Sequence, residues 1–227
     1  MIYITGDTHI PIDIHKLSMT NFPEQREMTK DDYVIVCGDF GGVWNNSKEE
    51  LYWRKWLDDK NFTTLFVDGN HENFVMLNKC FVLQDFLGGN VHQVSESIYH
   101  LMRGEVYNIS GYKIFTMGGA SSHDKEWRRE GVSWWSEELP SNDEYNKALV
   151  ALDAVNWKVD IILSHCAPDS IQTALADWYE HDKLTNFLET VKQDCDYKAW
   201  FFGHYHVDQD IDDKHAAVYE RLIEIGE

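Results

Sequence analysis

The residues of this 227-residue chain whose types and spacing can do chemistry are Asp7, His9, Asp39, Asn70, His71, His165, His204 and His206. They fall in five short blocks: Gly6-Asp7-Thr8-His9, Gly38-Asp39, Gly69-Asn70-His71-Glu72, Ser164-His165 and Gly203-His204-Tyr205-His206. In every block a small residue is followed by Asp, Asn or His. Setting His71 aside, the set holds four imidazoles, two carboxylates and one carboxamide. That mixed nitrogen and oxygen environment suits manganese first, and iron, zinc, cobalt or nickel as alternatives. It is too rich in nitrogen for a dedicated magnesium or calcium site. Seven ligands exceed what one ion needs and fit two ions sharing a carboxylate. Two ions about 3.5–4 Å apart can lower the pKa of a shared water and clamp an in-line displacement at phosphorus.

The blocks need elements to position them. Each follows a short apolar run of strand type: residues 2–5, 33–37, 64–67, 161–163 and 199–202. Further runs lie at 106–109, 113–117 and 218–225. Several are apolar at every position, as expected of strands buried on both faces. The C-terminal ends of strands in one sheet share an edge, so the blocks should converge there. A lone Asp-x-His or His-x-His is commonplace. Five ordered blocks at strand ends are hard to obtain by core packing, because buried Asp and His are costly unless paired or metal-bound.

Helical patterns lie between the strands. Ser47-Lys48-Glu49-Glu50 and Ser141-Asn142-Asp143-Glu144 both read as capping boxes. Leu51, Trp53, Trp56 and Leu57 should share one face of the first helix. A third stretch runs from about 169 to 191 and should break near 181–182. The pair 106–109 and 113–117, joined by Ser110-Gly111-Tyr112, reads as a hairpin, so the sheet is not purely parallel. The fold class is therefore α/β. No repeat or linker interrupts residues 1–227, which read as a single domain.

The chain is 43% hydrophobic and 14% aromatic, enough for a sizeable core. No window is long and apolar enough for a membrane span. The first residues read as a strand and not as a signal peptide, so the expected location is cytoplasmic. Cys37, Cys80, Cys166 and Cys195 form no Cys-x-x-Cys pair, and no disulfide framework is expected. The formal charge of −19 speaks against non-specific nucleic-acid binding.

Together the five blocks resemble those of the calcineurin-like metallophosphoesterase superfamily. The resemblance spans residues 6–206. It implies a layered β-sandwich of mixed sheets flanked by helices. It also implies that Asp7, His9, Asp39 and His206 hold one ion, and that Asp39 bridges to a second held by Asn70, His165 and His204. His71 would then face the substrate as general acid or charge stabiliser. Asp68 or Glu72 could keep it protonated, unless Glu72 merely caps a helix starting near Asn73. The phosphoprotein phosphatase branch carries an Asp-Arg pair after its second block. Here the residues are Asp39-Phe40-Gly41-Gly42, without arginine.

Another group must then bind the phosphoryl oxygens. The segment 118–135 opens with Gly118-Gly119 and carries His123, Lys125, Arg128 and Arg129. Arg128, Arg129 and His123 are the candidate substrate contacts. Trp134-Trp135 could wall a flat group, or could anchor the loop. The function expected is hydrolysis of a small or nucleotide-like phosphomonoester or phosphodiester. The alternatives are a silent binding or scaffold protein on the same fold, a nuclease, or a protein phosphatase. Oligomeric state is left open.

Overall fold

Strands that are apolar at every position must be covered on both faces. The computed structural model, which describes residues 1–226, shows how this is done. In chain order the elements are β1 (Ile2–Thr5), β2 (Tyr33–Cys37), α1 (Lys48–Asp58), β3 (Thr63–Val67) and α2 (Phe74–Lys79). Then come β4 (Val82–Phe86), β5 (Gly89–Ser95), β6 (Ile98–Leu101), β7 (Glu105–Ile109), β8 (Tyr112–Met117) and α3 (Asn142–Ala154). The rest are β9 (Ile161–Ser164), α4 (Asp169–Leu175), α5 (Lys183–Asp194), β10 (Ala199–Phe202), β11 (Gln209–Asp210), β12 (His215–Ala217) and β13 (Ile223–Ile225). A seven-stranded sheet has the order β13-β1-β2-β3-β6-β5-β4, and a six-stranded sheet has β11-β12-β10-β9-β8-β7. Both are mixed, with parallel centres and antiparallel edges.

Alternate side chains of each central strand serve two cores. Ile35, Cys37, Leu65 and Val67 meet Ile114, Ile161, Leu163 and Phe201 between the sheets. Val34, Val36 and Phe66 point the other way, onto Leu57, Phe74 and Leu77. On the far side, Phe115, Ile162, Trp200 and Phe202 pack against Ala148, Leu152, Leu184 and Leu188. The result is the expected helix–sheet–sheet–helix sandwich. No helix among the described residues is long and apolar enough to cross a membrane.

Several local expectations change. The site-bearing strands belong to two sheets, not one. β1, β2 and β3 lie in the first, and β9 and β10 in the second. Strand β13 covers only the end of the expected 218–225 run. The chain bends at 219–221, where the Asp208 carboxylate accepts from the amides of Tyr219, Glu220 and Arg221. The meander β4–β6 was not legible. Its strands carry His92, Gln93, Tyr99 and His100 where an apolar run would be expected.

The helix caps also differ. Ser141 and Glu144 form the full reciprocal box. Ser47 accepts from Glu50 N, but the Glu50 carboxylate turns to the amides of Trp44, Asn45 and Asn46 and pairs with Arg54. The buried side of α1 therefore carries Glu50, Arg54 and Leu57, while Leu51 is exposed. The third helical stretch splits into α4 and α5, the latter capped by Asp182. All four cysteines are free.

One buried ion pair links the end of β3 to the turn between β6 and β7. Arg103 Nε donates to Asp68 Oδ2 at 2.8 Å, and His100 Nε2 lies 3.1 Å from Asp68 Oδ1. Burial alone would raise the Asp68 pKa, but Arg103 and His100 hold it well below the usual carboxylate range. Arg103→Met would leave this carboxylate buried with one partner. Breaking such a pair costs roughly 3–5 kcal/mol. Urea denaturation should show a loss of that order, and a change under about 1 kcal/mol would mean that Asp68 does not depend on Arg103.

Candidate metal centre

The C-terminal ends of β1, β2, β3, β9 and β10 meet where the two sheets face one another, and the five blocks converge there. Asp7, Asp39 and His165 are buried, as is Asn70. Asp39 stands between two donor groups. Its Oδ2 is 3.3 Å from His9 Nε2, and its Oδ1 is 3.3 Å from His165 Nε2. Ligand atoms of His9, Asp39 and His71 lie within 4.8 Å of one another, and so do those of Asp39, His165 and His204. Asp7 lies 3.5 Å from His165 Nδ1 and 3.6 Å from His206 Nε2. His71, set apart from the ligands in sequence, is thus close enough to join one group.

Two of the rings, His165 and His9, are aimed by their second nitrogen. His165 Nδ1 is 2.8 Å from Cys37 O, which leaves Nε2 toward Asp39 and 3.2 Å from Asn70 Oδ1. His9 Nδ1 is 2.8 Å from Asp13 Oδ2. Asn70 Nδ2 donates to Ser122 Oγ at 3.2 Å, which turns its carbonyl oxygen toward His165 and the donor groups. His206 stacks on Tyr219 at 4.9 Å. Lys16, buried beneath the site, donates to Gly6 O and Asp7 O at 2.9 Å each and to Tyr219 O. Such outer contacts fix tautomer and direction in metal sites.

The backbone is forced to suit. His9, Asp39, His204 and His206 adopt φ of 34°, 45°, 70° and 51°. Side-chain-bearing residues rarely take this conformation, and it persists only where the surroundings enforce it. The glycines that open four of the five blocks also have a steric reason. A Cβ on Gly69 would lie 2.1 Å from Asp39 Oδ1, and one on Gly203 would lie 2.4 Å from Asp7 Oδ1.

The electrostatics call for a cation. Burial raises the Asp7 pKa and the charge on Asp39 adds to it, against the pull of His165. Burial also opposes ionisation of Asp39, yet His165 and His9 hold its pKa well below the usual range. Burial alone lowers the His165 pKa, but Asp39 and Asp7 lift it to about 9. His204 falls well below the ordinary value, first through burial and then through His165. Two buried carboxylates ringed by imidazoles fit divalent metal ions, which must displace any ligand-bound protons.

His71 is half-buried, and its amide donates to Asp39 Oδ1 at 2.7 Å. Burial lowers its pKa, partly offset by Asp39, while Arg128 pushes it further down. Neither expected carboxylate assists it. Asp68 is taken by Arg103 and His100. Glu72 is buried and accepts from Phe40 N at 2.7 Å; burial and then Asp39 raise its pKa well above normal. Nor is Glu72 a cap, because Asn73 caps α2. Phe40, where the phosphatase branch has arginine, is stacked on Phe66 in the core.

The 118–135 segment covers one side of the site unevenly. Its Gly119 amide donates to Asp68 O, so this turn packs on the scaffold and does not offer that amide to an anion. His123 is exposed, with its ring 5.8 Å from that of His204. Arg128 is close enough to His71 to shift its pKa, but is paired with Asp124 at 2.7 Å. Arg129 is exposed and its backbone bonds Ser133. Trp135 is buried against Trp44, so it anchors and does not wall a site. A cleft of about 320 Å³ instead opens beside His9 and His71, lined by Pro11, Trp44, Glu49 and Trp53. These walls, and also Asp13, Lys16 and Tyr219, lie outside the five sequence blocks. The visible signal for Asp13 was an acid four residues after His9.

A family model for calcineurin-like phosphoesterases matches residues 1–208. No curated protein matches the chain.

Asp13→Ala should keep the fold and lower metal affinity, because the His9 ring loses its orienting partner. Losses of this kind run to about 10–100-fold. Competitive titration with a metallochromic chelator measures it, and unchanged affinity would remove Asp13 from the site.

Proposed function

The chain belongs to the calcineurin-like phosphoesterase family, and from that premise we propose that it hydrolyses small phosphoesters at a pair of divalent ions. The observation that carries the pair is the position of Asp39, whose two oxygens face two different donor groups. In this reading Asp7, His9, Asp39 and His206 hold one ion, and Asp39, Asn70, His165 and His204 hold the other. Manganese fits the donor set best, with iron, zinc, cobalt or nickel as alternatives. When bound, such ions supply Lewis acidity at phosphorus and lower the pKa of water.

The residues of the chain do the rest. His71 belongs to one donor group and also lines the cleft, so it is placed to give a proton to the departing oxygen or to stabilise its charge. Asp39 fixes it through the His71 amide. Asp13, Ser122, Lys16 and Tyr219 keep the donor atoms aimed, which spares reorganisation during the reaction. His123 and Arg128 border the site and would contact the phosphoryl group or its substituent. Arg129 is the weakest of the three candidates, given its exposure. The cleft size and the charge of −19 support a small substrate over duplex nucleic acid.

With manganese added, the chain should hydrolyse p-nitrophenyl phosphate or bis(p-nitrophenyl) phosphate. No turnover with any of manganese, iron, zinc, cobalt or nickel would sink the enzyme reading and favour a silent binding protein.

His71→Ala should retain its metals and lose roughly 10²–10⁴-fold in rate on esters with poor leaving groups. Good leaving groups should be far less affected. Equal losses on both would remove the proton-donor role.

A further inference from the structure

We propose that the cleft beside His71 seats the leaving group of the substrate and takes a nucleobase, a flat heteroaromatic ring bearing N–H donors. This rests on the phosphoesterase reading above and adds a substrate class to it. Position comes first. His9 and His71 form one end of the cleft, so a group lodged there is the one attached to the reacting phosphorus. Size comes next. At about 320 Å³ the cleft lies at the small end of the range of about 300–1,000 Å³ for small-molecule sites, room for one nucleoside.

The walls are aromatic and already set. Trp44 meets Trp135 edge to face at 5.1 Å. Its backbone is held by Glu50 and by Asn73, whose side chain donates to Trp44 O at 2.7 Å. Trp53 is held edge-on by His15 at 5.3 Å and Trp56 at 5.4 Å. Indoles fixed from behind lose little freedom when a ring stacks on them.

Charge selects among flat groups. Glu50, beneath the rim, is consumed by three backbone amides and Arg54. Glu49 is exposed at the cleft and offers acceptor oxygens. An anionic rim repels a second phosphate and accepts from ring or exocyclic N–H groups. A quaternary ammonium would also suit indoles and a carboxylate, but would fill only a fraction of this volume.

Nucleosides without phosphate test the cleft apart from the chemistry. Calorimetric titration of the manganese-loaded chain with adenosine should show saturable binding. Trp53→Ala should weaken it about tenfold or more, while Trp178→Ala, an exposed indole outside the cleft, leaves it unchanged. Glu49→Ala, a surface change that spares folding, should reduce adenosine affinity to that of purine riboside, which lacks the exocyclic amine. No saturable nucleoside binding, equal binding by wild type and both cleft variants, or tighter binding of choline would overturn the inference. A chain that hydrolyses bis(p-nitrophenyl) phosphate yet ignores nucleosides defeats this inference alone. One that binds adenosine through Trp53 and Glu49 yet hydrolyses nothing supports the nucleobase site but defeats the phosphoesterase reading, and the leaving-group role with it.

Discussion

Asp7 and Asp39 are buried at the seam between two sheets; Asp39 raises the cost of ionising Asp7, and Asp39 itself is held ionised by His165 and His9. Two carboxylates in so little water need positive charge nearby. The imidazoles of His9 and His165 stand on opposite sides of Asp39 to provide part of it. The rest of the structure can be derived from keeping these two acids where they are. The sheets bring the strand ends together, and glycines let the chain approach the carboxylates closely. Lys16, Asp13 and Ser122 hold the loops from behind.

The strain in the backbone has the same origin. Positive φ at His9, Asp39, His204 and His206 turns consecutive side chains toward one point. An unstrained strand alternates its side chains and cannot do this. Packing offsets the cost. Alternate residues of the central strands are buried in one of three apolar clusters, so the edge carrying the site has a rigid base.

Much of this was legible in the sequence. The central strands were plain because each is apolar throughout, and a small residue followed by Asp, Asn or His marked the end of five of them. What was hidden depends on contacts between distant segments. The β4–β6 meander is edge-forming and carries buried histidines, so its strands lack an apolar run. Glu50 satisfied a capping pattern locally but turned to amides of the preceding loop. Glu72 and Asp68 lay beside His71 in sequence, yet are spent on Phe40 and Arg103. The walls of the cleft come from the aliphatic segment 10–12 and from Trp44 and Trp53, which only the fold brings together. The 118–135 segment had the composition of a phosphate loop, but its glycines pack on Asp68 and its Arg128 pairs with Asp124.

The proposed function requires Asp39 to serve two ions at once. Crystals grown with manganese, measured at the manganese absorption edge, test it directly. Two anomalous peaks are expected, one on each side of the Asp39 carboxylate, with His9 beside one and His165 beside the other. A single peak, or two peaks of which only one touches Asp39, would contradict it.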